Sequence, residues 1–122
     1  MKYAVLDTNF ILSCIRKKID FFHEIKFMGL NIIIPEEVKE ELRKIIETGK
    51  KKFSDEGKIA IALMKKNEFE TISLNVKNVD NGIVKIAREN KDYIIATLDR
   101  EIKSKIKNHK LTIRGNGKLE VI

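Results

Sequence analysis

Histidine and cysteine are nearly missing from this chain of 122 residues, which holds two of the first and one of the second. A lone Cys14 excludes an internal disulfide framework and cannot by itself build a thiolate metal site, so it reads as a small core residue. His23 and His109 have no cysteine, serine or second histidine at useful spacing, which leaves histidine-based nucleophilic or zinc chemistry without residues. Both are expected at the surface. The six glycines form neither kind of phosphate-cradling loop. No stretch approaches the ~20 uninterrupted apolar residues of a membrane span, and Asp7 interrupts any signal-peptide core, so a cytoplasmic, soluble protein with no membrane partner is expected. Repeats, low-complexity tracts and Pro- or Ser-rich linkers are missing too, and residues 1–122 are read as a single domain.

What the chain does carry is positive charge and enough apolar material, 43%, for one core. The net charge of +7 points to polyanionic partners. Its distribution is uneven: from Asp99 to Ile122 seven Lys or Arg face three acids, a net of +4. Lys103, Lys105 and Lys107, with Arg100, are the candidate contacts to a nucleic-acid backbone, although lysines that merely solubilise a small protein produce the same count.

Short apolar runs at Lys2 to Leu6, Asn31 to Ile34 and Tyr93 to Leu98 fit buried parallel strands, and each leads into a helical pattern. After Pro35, Val38, Leu42, Ile45 and Ile46 recur at helical spacing until Gly49. A further helix is expected to open at Ser54-Asp55-Glu56, with Ile59, Ile61, Ala62 and Leu63 following and Lys50-Lys51-Lys52 as a connector. Others are expected from about Asp80 to Asn90 and from about Asp99 to Lys107. Val76 to Val84 also fits a hairpin, but Ile83, Val84, Ile86 and Ala87 continue at helical spacing. Leu111 to Arg114 and Lys118 to Ile122, across Gly115-Asn116-Gly117, read as a C-terminal hairpin. The expected architecture is α/β: a mainly parallel central sheet with helices on both faces. Phe21, Phe22, Phe27, Phe53 and Phe69 sit in apolar patterns and are expected in the core.

Ligands of open α/β sheets bind beyond the carboxyl ends of the strands. Asp7 and Asp99 each follow a buried run and precede a helix, where a helix cap would use the same residue type. Asp80 falls on the apolar stripe of Ile83, Val84 and Ala87, where an unpaired carboxylate should not sit. Glu41 lies on the flank of the Val38–Leu42 stripe, closer to it than Glu36, Glu37 or Glu40. Four gathered carboxylates would repel by about 4 kcal/mol per close pair at an effective dielectric of 20, so the cluster calls for cations, and hard oxygen ligands select Mg²⁺ or Mn²⁺. Such ions would serve phosphodiester hydrolysis without a protein nucleophile.

Val5-Leu6-Asp7-Thr8-Asn9, Val38-x-x-Glu41-Leu42, Asp80 before Ile83 and Ala87, and Ala96-Thr97-x-Asp99 resemble, in order and spacing, the PIN-domain nucleases along essentially the whole chain. The resemblance implies a metal-dependent endoribonuclease in which Asp7, Glu41, Asp80 and Asp99 are the catalytic, metal-binding acids and Thr8, Asn9 and Thr97 their polar supports. Thr97-Leu98-Asp99-Arg100-Glu101-Ile102-Lys103 and Ile113-Arg114-Gly115 look more like the ribosomal RNA processing branch than the toxin branch. RNA is the implied substrate; an antitoxin, a ribosome-assembly factor or a second copy of the chain are the protein partners left open. Asp7-Thr8-Asn9 lacks the second aspartate that a haloacid-dehalogenase-like phosphatase needs. An RNA-binding module without turnover, its acids mere caps, is the alternative from another class.

Overall fold

Three apolar runs become the parallel centre of a five-stranded sheet in the computed structural model, which describes residues 2–122. The strands are β1 (Tyr3–Leu6), β2 (Asn31–Ile33), β3 (Ile94–Ala96), β4 (Lys110–Ile113) and β5 (Leu119–Val121). They lie in the order β2-β1-β3-β4-β5, with only β5 antiparallel to its neighbour. Ala4, Val5 and Leu6 are fully buried, as a central strand covered on both faces requires. From β1 the chain crosses first to β2 on one side, through α1 (Thr8–Arg16) and α2 (Phe21–Phe27). It returns past β1 to β3 through α3 (Glu36–Thr48), α4 (Lys51–Lys66) and α5 (Val79–Glu89), and α6 (Arg100–Lys105) leads on to β4. Right-handed crossovers that run in opposite directions place helices on both faces of the sheet. The strand order therefore reverses between β1 and β3, and the carboxyl ends of these two strands form the topological switch point.

Local chemistry moves several boundaries from where periodicity alone puts them. α4 begins at Lys51, not Ser54, so the lysine run is its exposed first turn rather than a connector. Lysine is a good helix former, and the Ser54 hydroxyl donates instead to Ile46 O across the α3–α4 junction, at 2.8 Å. The buried face of α4 is Gly57, Ala60 and Met64, and Ile59 is half exposed. There is no room to reverse this face, because a Cβ on Gly57 would lie 2.9 Å from Ile46. α5 starts at Val79 with Asn78 as its cap, which removes the hairpin alternative for this stretch. α6 ends at Lys105. Two of the five phenylalanines expected inside are outside: Phe27 is 86% exposed and Phe53 lies at the surface under the Arg16 guanidinium. Cys14 is buried and both histidines are exposed. The C-terminal hairpin forms, closed by Arg114 N donating to Lys118 O, with Gly117 at φ +80°.

The second half of the sheet depends on one buried amide. Asn108 Nδ2 shares its two hydrogens among Ala87 O, Asn90 O and Tyr93 O, at 2.9–3.0 Å, and so ties the end of α5, the following turn and the approach to β3 to the strand that follows α6. Replacement by Leu removes all three bonds at once; Ala87 O still accepts from Asn90 N and Asn90 O from Tyr93 N, but each lost bond contributes about 1 kcal/mol and an unmatched buried acceptor costs about 1–3 kcal/mol before relaxation. Asn108→Leu is expected to lower stability by about 2–4 kcal/mol with an unchanged urea m-value, read from equilibrium denaturation; a midpoint equal to wild type would show that water replaces the amide at no cost.

Candidate functional site

Leu6 ends β1, and the next residue, Asp7, turns the chain into α1 beside the end of β3, its backbone N–H donating to Ala96 O at 3.0 Å. Its carboxylate is almost fully enclosed, 3% exposed. Oδ1 accepts from Thr8 N at 2.8 Å and Oδ2 accepts from the hydroxyl of the fully buried Thr97 at 3.0 Å. Thr97 Oγ1 in turn accepts from Asp99 N at 3.1 Å, so one hydroxyl connects the two acids that follow adjoining strands. Asp99 is a true helix cap: its Oδ1 accepts from Glu101 N and Ile102 N, while Oδ2 takes no hydrogen bond among the described residues. Capping and site membership are thus not alternatives for this residue, since one oxygen serves each.

Glu41 and Asp80 approach from the long return crossover. Glu41 projects from α3 and accepts from the Thr8 hydroxyl, which brings α3 onto the first turn of α1. Asp80 lies in the first turn of α5, where Asn78 performs the capping by accepting from Asn81 N. Capping therefore does not account for Asp80. Nor is it enclosed, as its position on the apolar stripe suggests: it is exposed, although Val79 before it and Gly82, Ile83, Val84 and Ala87 after it are buried.

Asp7, Thr8, Asn9, Glu41, Lys44 and Asp80 line one open recess of about 340 Å³. Asp99 stands outside this lining and joins it through Thr97 and through its charge on Asp80. Burial, above all, pushes the Asp7 carboxyl up to about 6; the Thr97 and Thr8 hydrogen bonds oppose this, and the charges of Asp80 and Glu41 reinforce it. Asp80 is raised as well, by desolvation and then by Asp99 and Glu101, with Lys105 acting in the opposite sense. Glu101 is an acid at this rim that periodicity does not select; its carboxylate meets Lys105 at 3.3 Å. Arg100, Lys105 and Lys107 are exposed and Lys103 is half-buried, all on or just beyond the helix that Asp99 caps.

Hard carboxylate oxygens round a recess suit Mg²⁺ or Mn²⁺. Among the described residues no three acids stand close enough to clasp an ion as they are. Mg²⁺ keeps several of its waters and needs only one or two direct carboxylates, so the arrangement fits that ion without a closed cage.

Fold and site together define a doubly wound α/β protein with an acidic recess at its topological switch point. The family described as "PIN like domain" matches residues 4–115, and the chain belongs to it. It is 30% identical to ribonuclease VapC4 of Methanocaldococcus jannaschii over 117 residues, which is 93% of this chain and 88% of that protein. It is 27% identical to the rRNA-processing protein fcf1 of Schizosaccharomyces pombe over 107 residues, 86% of this chain; the match spans about half, 53%, of that protein's length. The structure of the PIN domain endonuclease Utp24 superposes with a TM-score of 0.80 at 28% identity, covering 98% of this chain and 90% of that one.

Because the folded protein holds Asp7 at about 6 against an ordinary 3.8, it favours the protonated form. Ionising this group in the fold costs stability that is lost as pH rises from about 4 through 6, up to about 3 kcal/mol, and nothing further is lost above that window. Asn in its place removes the charge but also one acceptor for Thr97, worth about 1 kcal/mol. Metal-free Asp7→Asn is therefore expected to be about 2 kcal/mol more stable than wild type at pH 7.5, with the advantage gone at pH 4, as followed by thermal melts across pH. An advantage that stays constant with pH would contradict a suppressed Asp7 ionisation.

Proposed function

We propose that this protein is an endoribonuclease that hydrolyses phosphodiester bonds of RNA with Mg²⁺ or Mn²⁺, held by Asp7, Glu41, Asp80 and Asp99. The observation that carries this reading is the buried Asp7 carboxylate, hydrogen-bonded on both oxygens and destabilised by neighbouring acids at the switch point. A protein gains nothing in stability from such a group, whereas a cation offsets its cost. When bound, a divalent ion supplies an ionised water near neutral pH and neutralises charge that develops on the phosphodiester. The chain's own part is to orient oxygens. Thr97 holds Asp7 and, through the Asp99 N–H, the start of α6; Asp99 offers Oδ2; Glu41, held by the Thr8 hydroxyl, lines the recess. Asn9, exposed on the lip of the recess, is the polar support free to meet substrate.

The likeness to the PIN domain endonuclease Utp24 over 98% of the chain supports the endonuclease reading, and the likeness to the rRNA-processing protein fcf1 supports a role in ribosomal RNA processing, for which assembly factors are the proposed partners. The likeness to ribonuclease VapC4 across most of both chains supports the ribonuclease reading; a toxin ribonuclease held by an antitoxin is the second form that reading takes. Among the described residues no helix is long and apolar enough to cross a membrane.

RNA cleavage is expected with Mg²⁺ or Mn²⁺, lost in chelator, and reduced at least about 100-fold by Asp7→Asn or Asp99→Asn while both variants remain folded. Undiminished cleavage in EDTA sinks the metal reading, and tight RNA binding with no turnover under any cation would favour a non-catalytic module. The basic residues of α6 have a separate test. Wild-type affinity for RNA should fall linearly on a log–log salt plot, and replacing Lys103, Lys105 and Lys107 by Gln should flatten the slope by about two to three. An unchanged slope would make these lysines a solvated face.

A further inference from the structure

Glu37 lies one helical turn before Glu41 on α3 and does not line the Asp7 recess. Its carboxylate is nonetheless fully used. Oε1 accepts from Leu74 N at 3.0 Å, and Oε2 lies 3.2 Å from the Ser73 hydroxyl, whose single hydrogen it shares with Asn75 Oδ1 at 2.9 Å. Burial works against ionisation here, but these donors outweigh it and hold the carboxyl below its usual range. The backbone repeats the attachment one residue earlier, where Glu36 N donates to Ile72 O at 2.8 Å. The start of α3 is thus bound to a segment without regular structure, residues 71–78, that includes Asn75 at φ +55°.

That segment delivers α5. Leu74 is buried, and a Cβ placed on Gly82 would meet Leu74 Cβ at 2.8 Å, Leu74 Cδ1 at 2.9 Å and Val76 Cγ2 at 2.6 Å. The second turn of the helix therefore rests directly on the strap, with no room for a methyl group between them. Asp80 stands two residues before Gly82 on the same rigid helix. Glu37, Glu41, Val76 and Val79 also line one continuous groove, so the strap and the two elements it joins face each other. A chain of contacts leads from α3 through Glu37, Leu74 and Gly82 to Asp80.

We infer that Glu37 is a positioning residue, which fixes Asp80 on α5 relative to Glu41 on α3 by clamping the Ser73–Leu74 strap. It does not line the recess and acts through the strap. The inference rests on the proposed reading of Asp7, Glu41, Asp80 and Asp99 as the cation-holding site. Without the clamp, α5 retains its helix and its cap, but the spacing between the two exposed acids, Glu41 and Asp80, is no longer set. Buried Asp7 and capping Asp99 have their own anchors and are unaffected.

The test compares wild type, Glu37→Ala, Glu37→Gln and Ser73→Ala by amide hydrogen exchange and by RNA cleavage with Mn²⁺, at a temperature where all four are folded. In Glu37→Ala, exchange at Leu74 and at Asn81 to Ile83 should accelerate at least about tenfold while α4 is unchanged. Its kcat should fall about tenfold and its half-saturating Mn²⁺ rise about tenfold, with KM for RNA within about twofold, the size seen when a group behind a metal ligand is lost. Glu37→Gln retains an acceptor for Leu74 N and should stay within about threefold of wild type, a rescue that general weakening would not give. Ser73→Ala removes one donor of two and should lie between them, which keeps the comparison decisive if Glu37→Ala fails to fold. Unchanged exchange in α5, or a loosened α5 with wild-type kcat and Mn²⁺ response, overturns the inference. A wild type that cleaves no RNA with either cation refutes the functional reading instead, and the exchange data then decide the clamp alone.

Discussion

The hydroxyl of Thr97 stands between two carboxyl-bearing residues, donating to Asp7 and accepting from the backbone of Asp99. Everything around it is arranged to make that bridge unavoidable. β1 and β3 are hydrogen-bonded neighbours in parallel register, Leu6 opposite Ala96, so residues that leave them emerge side by side. Asp7 N donates to Ala96 O and extends the ladder by one bond beyond the last paired residue. A side-chain hydroxyl at the first residue after β3 then meets the carboxylate of the first residue after β1. Thr97 is fully buried, so neither partner is replaced by water at low cost. Two helices begin from this bridge, α1 at Thr8 and α6 at Arg100, and their first turns inherit its geometry.

The electrostatics run against stability in the same place. Asp7 is enclosed and sits within the field of Asp80 and Glu41, while Asp80 in turn feels Asp99 and Glu101. Elsewhere the chain handles a shielded acid differently: Glu56 is buried but receives two hydrogen bonds from Arg16 at 2.9 and 3.0 Å, and its carboxyl is held below the ordinary range. Among the described residues no arginine or lysine makes such a pair with Asp7, although Lys44 lines the same recess. A fold able to match Glu56 with a guanidinium but leaving Asp7 to its acidic neighbours holds a carboxylate that the proposed divalent cation would offset.

Much of this fold is legible in the amino-acid sequence. The alternation of apolar runs with helical patterns is strong because the strands are buried on both faces, and an acid directly after such a run has nowhere to go but the sheet edge. The Gly115-Asn116-Gly117 turn and the long α3 were equally legible, since each is set by local chemistry. What escaped was long-range. α2 is seven residues long, too short for periodicity, and its Phe27 faces water. Asp80 lies on an apolar stripe by angle yet is exposed between buried Val79 and Gly82, which no helical projection reveals. Asn108 and Glu37 look like ordinary polar residues in a row of letters. Their partners lie 15–21 and 36–37 residues away, and only the folded chain brings them together. Asp7 and Asp99 follow strands of the sheet, whereas Glu41 and Asp80 stand on helices and Glu37 is tied to a loop.

If a cation meets the charge of the buried Asp7 carboxylate, as proposed, carbon-13 NMR of its side-chain carboxyl reads this directly. In metal-free protein the Asp7 resonance should titrate near pH 6, well above an ordinary aspartate. With saturating Mg²⁺ the same resonance should shift and its midpoint should move down by at least about two units, because the bound ion favours the ionised form. A midpoint near 4 that ignores Mg²⁺ would contradict the account, leaving Asp7 as a helix-capping residue in a site that holds no metal.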